Sequence, residues 1–173
     1  MGRHFLGIDE SNHGRDPEIY VGVFSNNIDD IIKHEELIGK KRATAKTSSS
    51  ALFENIFAYI MFRKEERESI GDYNMKAIAF FELIKFFSGL DRIIIDGELR
   101  KTDYQKLQSL MGTHPGITAE SKADQHYKIV NTADHIANIL YRHYSNLDNI
   151  ENNVIFKKNL IIPNSLDSYL ILE

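Results

Sequence analysis

Arg92-Ile93-Ile94-Ile95-Asp96, followed by Gly97, is the stretch that decides the fold. Three consecutive isoleucines leave no polar face, so both faces of this strand must be covered. That is the signature of a central, parallel-paired strand between layers of helix. Gly97 stops it, and the strand ends on a carboxylate. Upstream, Arg3 to Asp9 reads as a second strand that stops at the acidic pair Asp9-Glu10. A polar turn from Ser11 to Pro17 follows, and Ile19 to Ser25 (IYVGVFS) is rich in β-branched and aromatic residues. The short spacing predicts an antiparallel hairpin.

Helices alternate with the remaining strands. A short helix at Ala51 leads into a strand over Ile56 to Phe62. Asp72 to Phe87 carries Met75, Ile78, Ala79, Phe81, Leu83 and Phe86, an apolar surface too wide for a one-sided helix, and Asp72 is placed to cap it. Asp103 to Met111 predicts another helix and Ile117 to Glu120 a short strand. Tyr127 to Tyr144 places Val130, Ala133, Ile136, Ala137, Leu140, Tyr141 and Tyr144 at three-to-four spacing. The pattern is an α/β domain with a mixed sheet. Residues 1–145 form that domain, and 146–173 read as a C-terminal extension packed on it.

Composition narrows the function classes. The 173 residues are 42% hydrophobic and 27% charged, as expected of one globular domain. There is no cysteine, which excludes disulfides, zinc-thiolate sites and a cysteine nucleophile. The N-terminus enters a strand without an apolar leader, and no stretch is long enough to span a membrane. The expectation is therefore a cytoplasmic protein with no membrane partner. A net charge of −4 weighs against tight non-specific nucleic-acid binding, although a carboxylate metal site makes its own domain acidic.

If the strands ending in Asp9 and Asp96 are parallel neighbours, both carboxylates emerge at the carboxyl edge, where open α/β sheets bind ligands. Asp134 shares a helical direction with Val130, Ala137 and Tyr141, so it points toward the sheet. A carboxylate there needs a metal ion or a basic side chain such as Lys122. Clustered carboxylates repel one another and favour cations, and oxygen-only ligation suits Mg²⁺ or Mn²⁺. Two such ions roughly 3.5–4 Å apart stabilise both oxygens of phosphodiester hydrolysis. Glu10 points away from Asp9 if the strand continues, whereas a turn would bring it in as a fourth catalytic carboxylate. His13, His126 and His135 flank the site as candidate proton carriers. The segment GKKRATAKTSSS (39–50) holds Lys40, Lys41, Arg42 and Lys46 and reads either as a solvated loop or as a phosphate-gripping one. No P-loop or GxGxxG occurs.

The opening Gly7-Ile8-Asp9-Glu10, then Gly14-Arg15, resembles the first motif of ribonuclease H type 2, an Asp-Glu pair followed by a glycine-arginine-glycine turn. Ile95-Asp96-Gly97 is similar to that family's second acidic strand, and Tyr73-Asn74-Met75 to the helix before it. Lys122-Ala123-Asp124 and the segment Ile129 to Tyr141 resemble its late Lys-Gly-Asp segment and Ala-rich helix. The resemblance covers roughly residues 4 to 145. It implies a ribonuclease H-like fold, a mixed five-stranded sheet flanked by helices, and a two-metal nuclease acting on nucleic acid. Asp9, Glu10 and Asp96 match its acidic motifs and would be catalytic; its last catalytic aspartate falls where this chain has Tyr141-Arg142-His143, and Asp134, at the helix start, would complete the set instead. The family's Asp-Ser-Lys segment has no counterpart in 39–50, and Lys122 with the 39–50 lysines and arginine would contact phosphate as basic side chains. The turn Ser11-Asn12-His13-Gly14-Arg15 is longer than the family's. With the acidic net charge it motivates the alternative of a non-catalytic nucleic-acid or protein-binding domain. A metal phosphatase acting on small molecules is a third reading.

Overall fold

A computed structural model of the chain describes residues 2–11, 14, 16–35, 51–111, 116–145 and 158–162, with backbone alone at 72–74 and 110–111. The strands are β1 (Phe5–Ser11), β2 (Glu18–Ser25), β3 (Ile56–Phe62), β4 (Arg92–Asp96) and β5 (Gly116–Glu120). The helices are α1 (Ala51–Glu54), α2 (Lys64–Ile70), α3 (Asp72–Phe86), α4 (Lys101–Met111), α5 (Ala123–His126) and α6 (Lys128–Tyr144), and a 3₁₀ turn covers Ile28–Ile31.

The five strands form one sheet in the order β3-β2-β1-β4-β5. β2 runs antiparallel to β1 and β3, while β4 is parallel to both β1 and β5. The isoleucine strand is therefore internal, and its side chains divide between two cores. Ile93 and Ile95 pack under α3 with Leu6, Ile8 and Ile60, whereas Ile94 packs under α6 with Phe5, Val21 and Ala133. Burying all three on opposite faces explains why the sequence shows no alternation here. The expected mixed five-stranded sheet flanked by helices is the observed one.

Two local expectations are corrected. β1 does not stop at Asp9: Glu10 pairs with Tyr20 and Ser11 with Ile19, and Ser11 Oγ accepts the Ile19 N–H at 3.0 Å. A charged residue is tolerated in the extended strand because Glu10 Oε1 meets Lys76 Nζ of α3 at 3.5 Å. Asp72 is the first residue of α3, and the N-cap is Gly71, whose φ of 83° suits glycine.

Helix α6 lies unusually close to β1. A Cβ at Gly7 would stand 2.8 Å from the carbonyl carbon of Ile129 and 2.8 Å from its Cγ2. Only glycine permits this approach. Gly7→Ala is expected to lift α6 from the sheet and destabilise the protein by about 1–3 kcal/mol, read by urea denaturation. A variant as stable as the wild type would show that the helix gives way freely.

Residues 158–162 lie against the edge strand: Leu160 bridges Tyr59 in parallel, and the Ile161 N–H donates to the Tyr59 carbonyl at 2.8 Å. Residues 146–157 and 163–173 lie outside the described residues. No helix among the described residues is long and apolar enough to cross a membrane.

Candidate functional site

The site follows from register. Ile8 pairs with Ile95, so the next residues, Asp9 and Asp96, leave neighbouring parallel strands at the same carboxyl edge. Strand alternation puts both on the α6 face, because Ile8 and Ile95 occupy the α3 face. Asp134 comes down from α6 at only 9% exposure, and Asp9 is 5% exposed. Asp124 of α5 also joins them, 5% exposed.

These four carboxylates repel one another. Burial first, then the charges of Asp134 and Asp96, push the Asp9 carboxyl up to about 9, and Asp124 adds to the effect. Asp96 is raised in the same direction, by burial first and then by Asp124. Backbone amides oppose both shifts. The Glu10 N–H donates to Asp9 Oδ1 at 2.7 Å and the Ala123 N–H to Asp96 Oδ1 at 2.6 Å, with the amide of Asp124 also lowering Asp96. The arrangement is a largely buried cluster of carboxylate oxygens, with Asp96 half-exposed at its edge, the chemistry that suits a hard divalent cation. Among the described residues no group of three or more His, Asp or Glu side chains already stands in ligating geometry.

The other sequence candidates are placed differently. Glu10 projects from the opposite face of β1, beside Lys76 and the buried Tyr20 hydroxyl. That hydroxyl donates to Glu18 Oε1 at 2.6 Å, and burial together with Glu10 and Glu18 holds its proton well above the ordinary tyrosine range. The structure therefore brings together Asp9, Asp96 and Asp134 and leaves Glu10 behind the sheet. The ring of His126 pairs with the His34 carbonyl at 2.8 Å, and the His34 N–H donates to the His126 carbonyl at 2.8 Å. His135 follows Asp134 on the helix, rotated about 100° from it, and is half-buried. Lys122 is exposed at the turn into α5, in a left-handed backbone conformation with φ 62°. His13, Lys40, Lys41, Arg42 and Lys46 lie outside the described residues.

In sequence, Asp124 stands only within the Lys122-Ala123-Asp124 resemblance, with no site role, yet it joins the cluster. Its signal was positional: β5 is parallel to β4, so the segment after Glu120 must emerge at the edge that carries Asp96.

No protein-family model and no curated protein matches the chain. Solved structures do. The ribonuclease H2 from Pyrococcus horikoshii OT3 superposes with a TM-score of 0.59 at 18% identity, covering 83% of this chain and 75% of its own. RNase HII from Archaeoglobus fulgidus, seen in a complex with PCNA, gives 0.56 at 20% identity, covering 83% and 74%. Bst-RNase HIII in complex with Mn²⁺ gives 0.54 at 17% identity, covering 81% of this chain and 52% of its own. Together with the strand order and the flanking helices, these likenesses establish that the chain has the ribonuclease H-like fold.

Proposed function

We propose that the protein is a divalent-metal-dependent nuclease that hydrolyses phosphodiester bonds, with Asp9, Asp96, Asp134 and Asp124 forming the metal site. The observation that carries this reading is the mutual repulsion of buried carboxylates at the carboxyl edge, strong enough to hold the Asp9 proton up to about 9. Burial and three further aspartates are what raise Asp9. The fold and the ribonuclease neighbours, one of them described with Mn²⁺, support nucleic acid as the substrate and a divalent ion as the cofactor; two ions, Mg²⁺ or Mn²⁺, are proposed because a pair suits phosphodiester hydrolysis.

Bound there, two divalent ions would polarise the phosphodiester and acidify the attacking water. The chain's own residues have simpler tasks. Asp9 is central, since its carboxyl feels all three other aspartates. The Ala123 amide fixes the orientation of Asp96. Asp134 closes the site from the helix side; the Glu10 backbone N–H orients Asp9, while the Glu10 side chain lies behind the sheet with Lys76.

Phosphate contacts are assigned to Lys122 at the rim and to Lys40, Lys41, Arg42 and Lys46. The chain leading to the latter is tied beside α5 through His34 and His126, and through Lys33 Nζ to Glu120 Oε1 at 2.9 Å. Lys122→Ala is expected to weaken nucleic-acid binding several-fold and to lower the slope of log affinity against log salt by about 1. An unchanged slope would remove Lys122 from the interface.

The test is a labelled panel of single- and double-stranded DNA, single-stranded RNA, an RNA/DNA hybrid and DNA with one embedded ribonucleotide, with Mg²⁺, Mn²⁺ or chelator, beside a small phosphodiester. Metal-dependent cutting of an oligonucleotide is the expected result. The competing reading, a non-catalytic nucleic-acid or protein-binding domain of this fold, draws on the net charge of −4 and the lack of a ready-made ligating trio among the described residues. Oligonucleotide binding without cutting would favour it. Cutting of the small phosphodiester alone would favour a phosphatase of small molecules.

A further inference from the structure

Asp124 reaches the acidic cluster from a turn that two consecutive residues, Lys33 and His34, brace at both ends. The turn leaves β5 at Glu120 and closes with α5 at His126. At its start, Lys33 Nζ meets Glu120 Oε1 at 2.9 Å and Oε2 at 3.2 Å, and the Glu120 carbonyl accepts the Gly97 N–H at 3.0 Å. At its end the grip is reciprocal. The His34 N–H donates to the His126 carbonyl at 2.8 Å, and Nδ1 of the His126 ring lies 2.8 Å from the His34 carbonyl. A carbonyl only accepts, so Nδ1 carries the proton of that bond. His34 and His126 stand 92 residues apart, so the fold and not the chain brings them together.

The turn needs holding. Lys122 has a left-handed backbone, φ 62°, a strain that a residue with a Cβ keeps only where its surroundings over-determine it. α5 is a single turn, closed by the Gln125 N–H on the Lys122 carbonyl at 3.0 Å and the Tyr127 N–H on the Ala123 carbonyl at 2.9 Å, and a helix this short does not stand alone. Yet this turn aims the Ala123 N–H at Asp96 Oδ1, 2.6 Å away, and carries the buried Asp124. Of the two anchors, the Lys33–Glu120 pair is open to water at Lys33, and such pairs hold weakly. The half-buried His34–His126 pair is the stronger of the two.

We propose that His126 is a positioning residue of the metal site: its Nδ1–H clasps the His34 carbonyl and so holds the turn that sets the Ala123 amide on Asp96 and places Asp124 in the cluster. The role rests on the metal-site reading above, and it makes His126 a donor to the backbone and not a proton carrier. His126→Asn keeps an N–H donor near the place of Nδ1 and has no second ring nitrogen to pass a proton on; His126→Ala has neither. The test is calorimetric titration of the full chain with Mn²⁺, beside hydrogen exchange of the Ala123 amide in chelator. His126→Ala is expected to bind Mn²⁺ about tenfold more weakly or worse, and His126→Asn to stay within about twofold of the wild type. The Ala123 amide should exchange faster in His126→Ala alone. Wild-type affinity and exchange in His126→Ala, or a His126→Asn protein as impaired as His126→Ala, would overturn the proposal. Where circular dichroism shows His126→Ala unfolded, His126→Asn decides: wild-type Mn²⁺ affinity supports the clasp and its loss overturns it. No Mn²⁺ binding by the wild type, with exchange still faster in His126→Ala, would remove the metal site and this role with it, while showing that the clasp holds the turn.

Discussion

Asp96→Asn should lower metal-dependent cleavage by about a thousandfold or more while leaving the protein folded. A thousandfold loss corresponds to about 4 kcal/mol of transition-state stabilisation, within what the loss of a charged metal ligand removes. The fold should survive because asparagine keeps the carbonyl oxygen that accepts the Ala123 amide, bonded at 2.6 Å in the wild type. The change also removes one of the charges that raise Asp9, so the metal-free protein should be at least as stable as before. The measurements are single-turnover cleavage on the substrate found by the panel and thermal unfolding by circular dichroism. A folded Asp96→Asn protein that cuts at the wild-type rate would end the assignment of Asp96.

Asp9→Asn should largely abolish the pH dependence of the metal-free protein's stability. The Asp9 carboxyl holds its proton up to about 9 in the folded protein, whereas the unfolded chain releases it near the ordinary value of 3.8. Below that lower value both states are protonated and Asp9 is neutral to stability. Between the two values the folded state binds one proton more than the unfolded state, so stability falls as pH rises. For the metal-free protein the loss between pH 5 and 8 is on the order of 2–4 kcal/mol if Asp9 dominates. Asp9→Asn cannot carry this charge, and the slope should largely vanish. The variant should then be more stable than the wild type at pH 8 in chelator, and less stable in Mn²⁺. At a concentration 100 times its dissociation constant, the ion would stabilise the wild type by about 2.7 kcal/mol. Parallel pH profiles for the two proteins in chelator would show that Asp9 is not the strained group.

The parts of the fold that could be read from sequence are those in which one local pattern meets one environment. Ile93, Ile94 and Ile95 cannot be half-exposed, so a covered strand was the single reading. The IYVGVFS run so soon after the first strand left little but a hairpin. In α6 the stripe from Val130 to Leu140 carried Asp134 with it onto the sheet. The parts that were not legible depend on partners distant in sequence. The extension of β1 past Asp9 rests on Glu10 meeting Lys76, which nothing near Glu10 announces. Asp124 sits in a four-residue helix, too short for periodicity to show its buried side. Gly7 reads as an ordinary strand glycine until Ile129 is seen against it.

The most direct test of the account is a calorimetric titration of the metal-free protein with Mn²⁺ at pH 7.5, beside Asp9→Asn and Asp96→Asn. Saturable binding with release of protons, since Asp9 must give up the one it holds, and loss of that binding in both variants, is the predicted result. Absence of saturable binding to the folded wild-type protein, or binding that both variants retain, would contradict it.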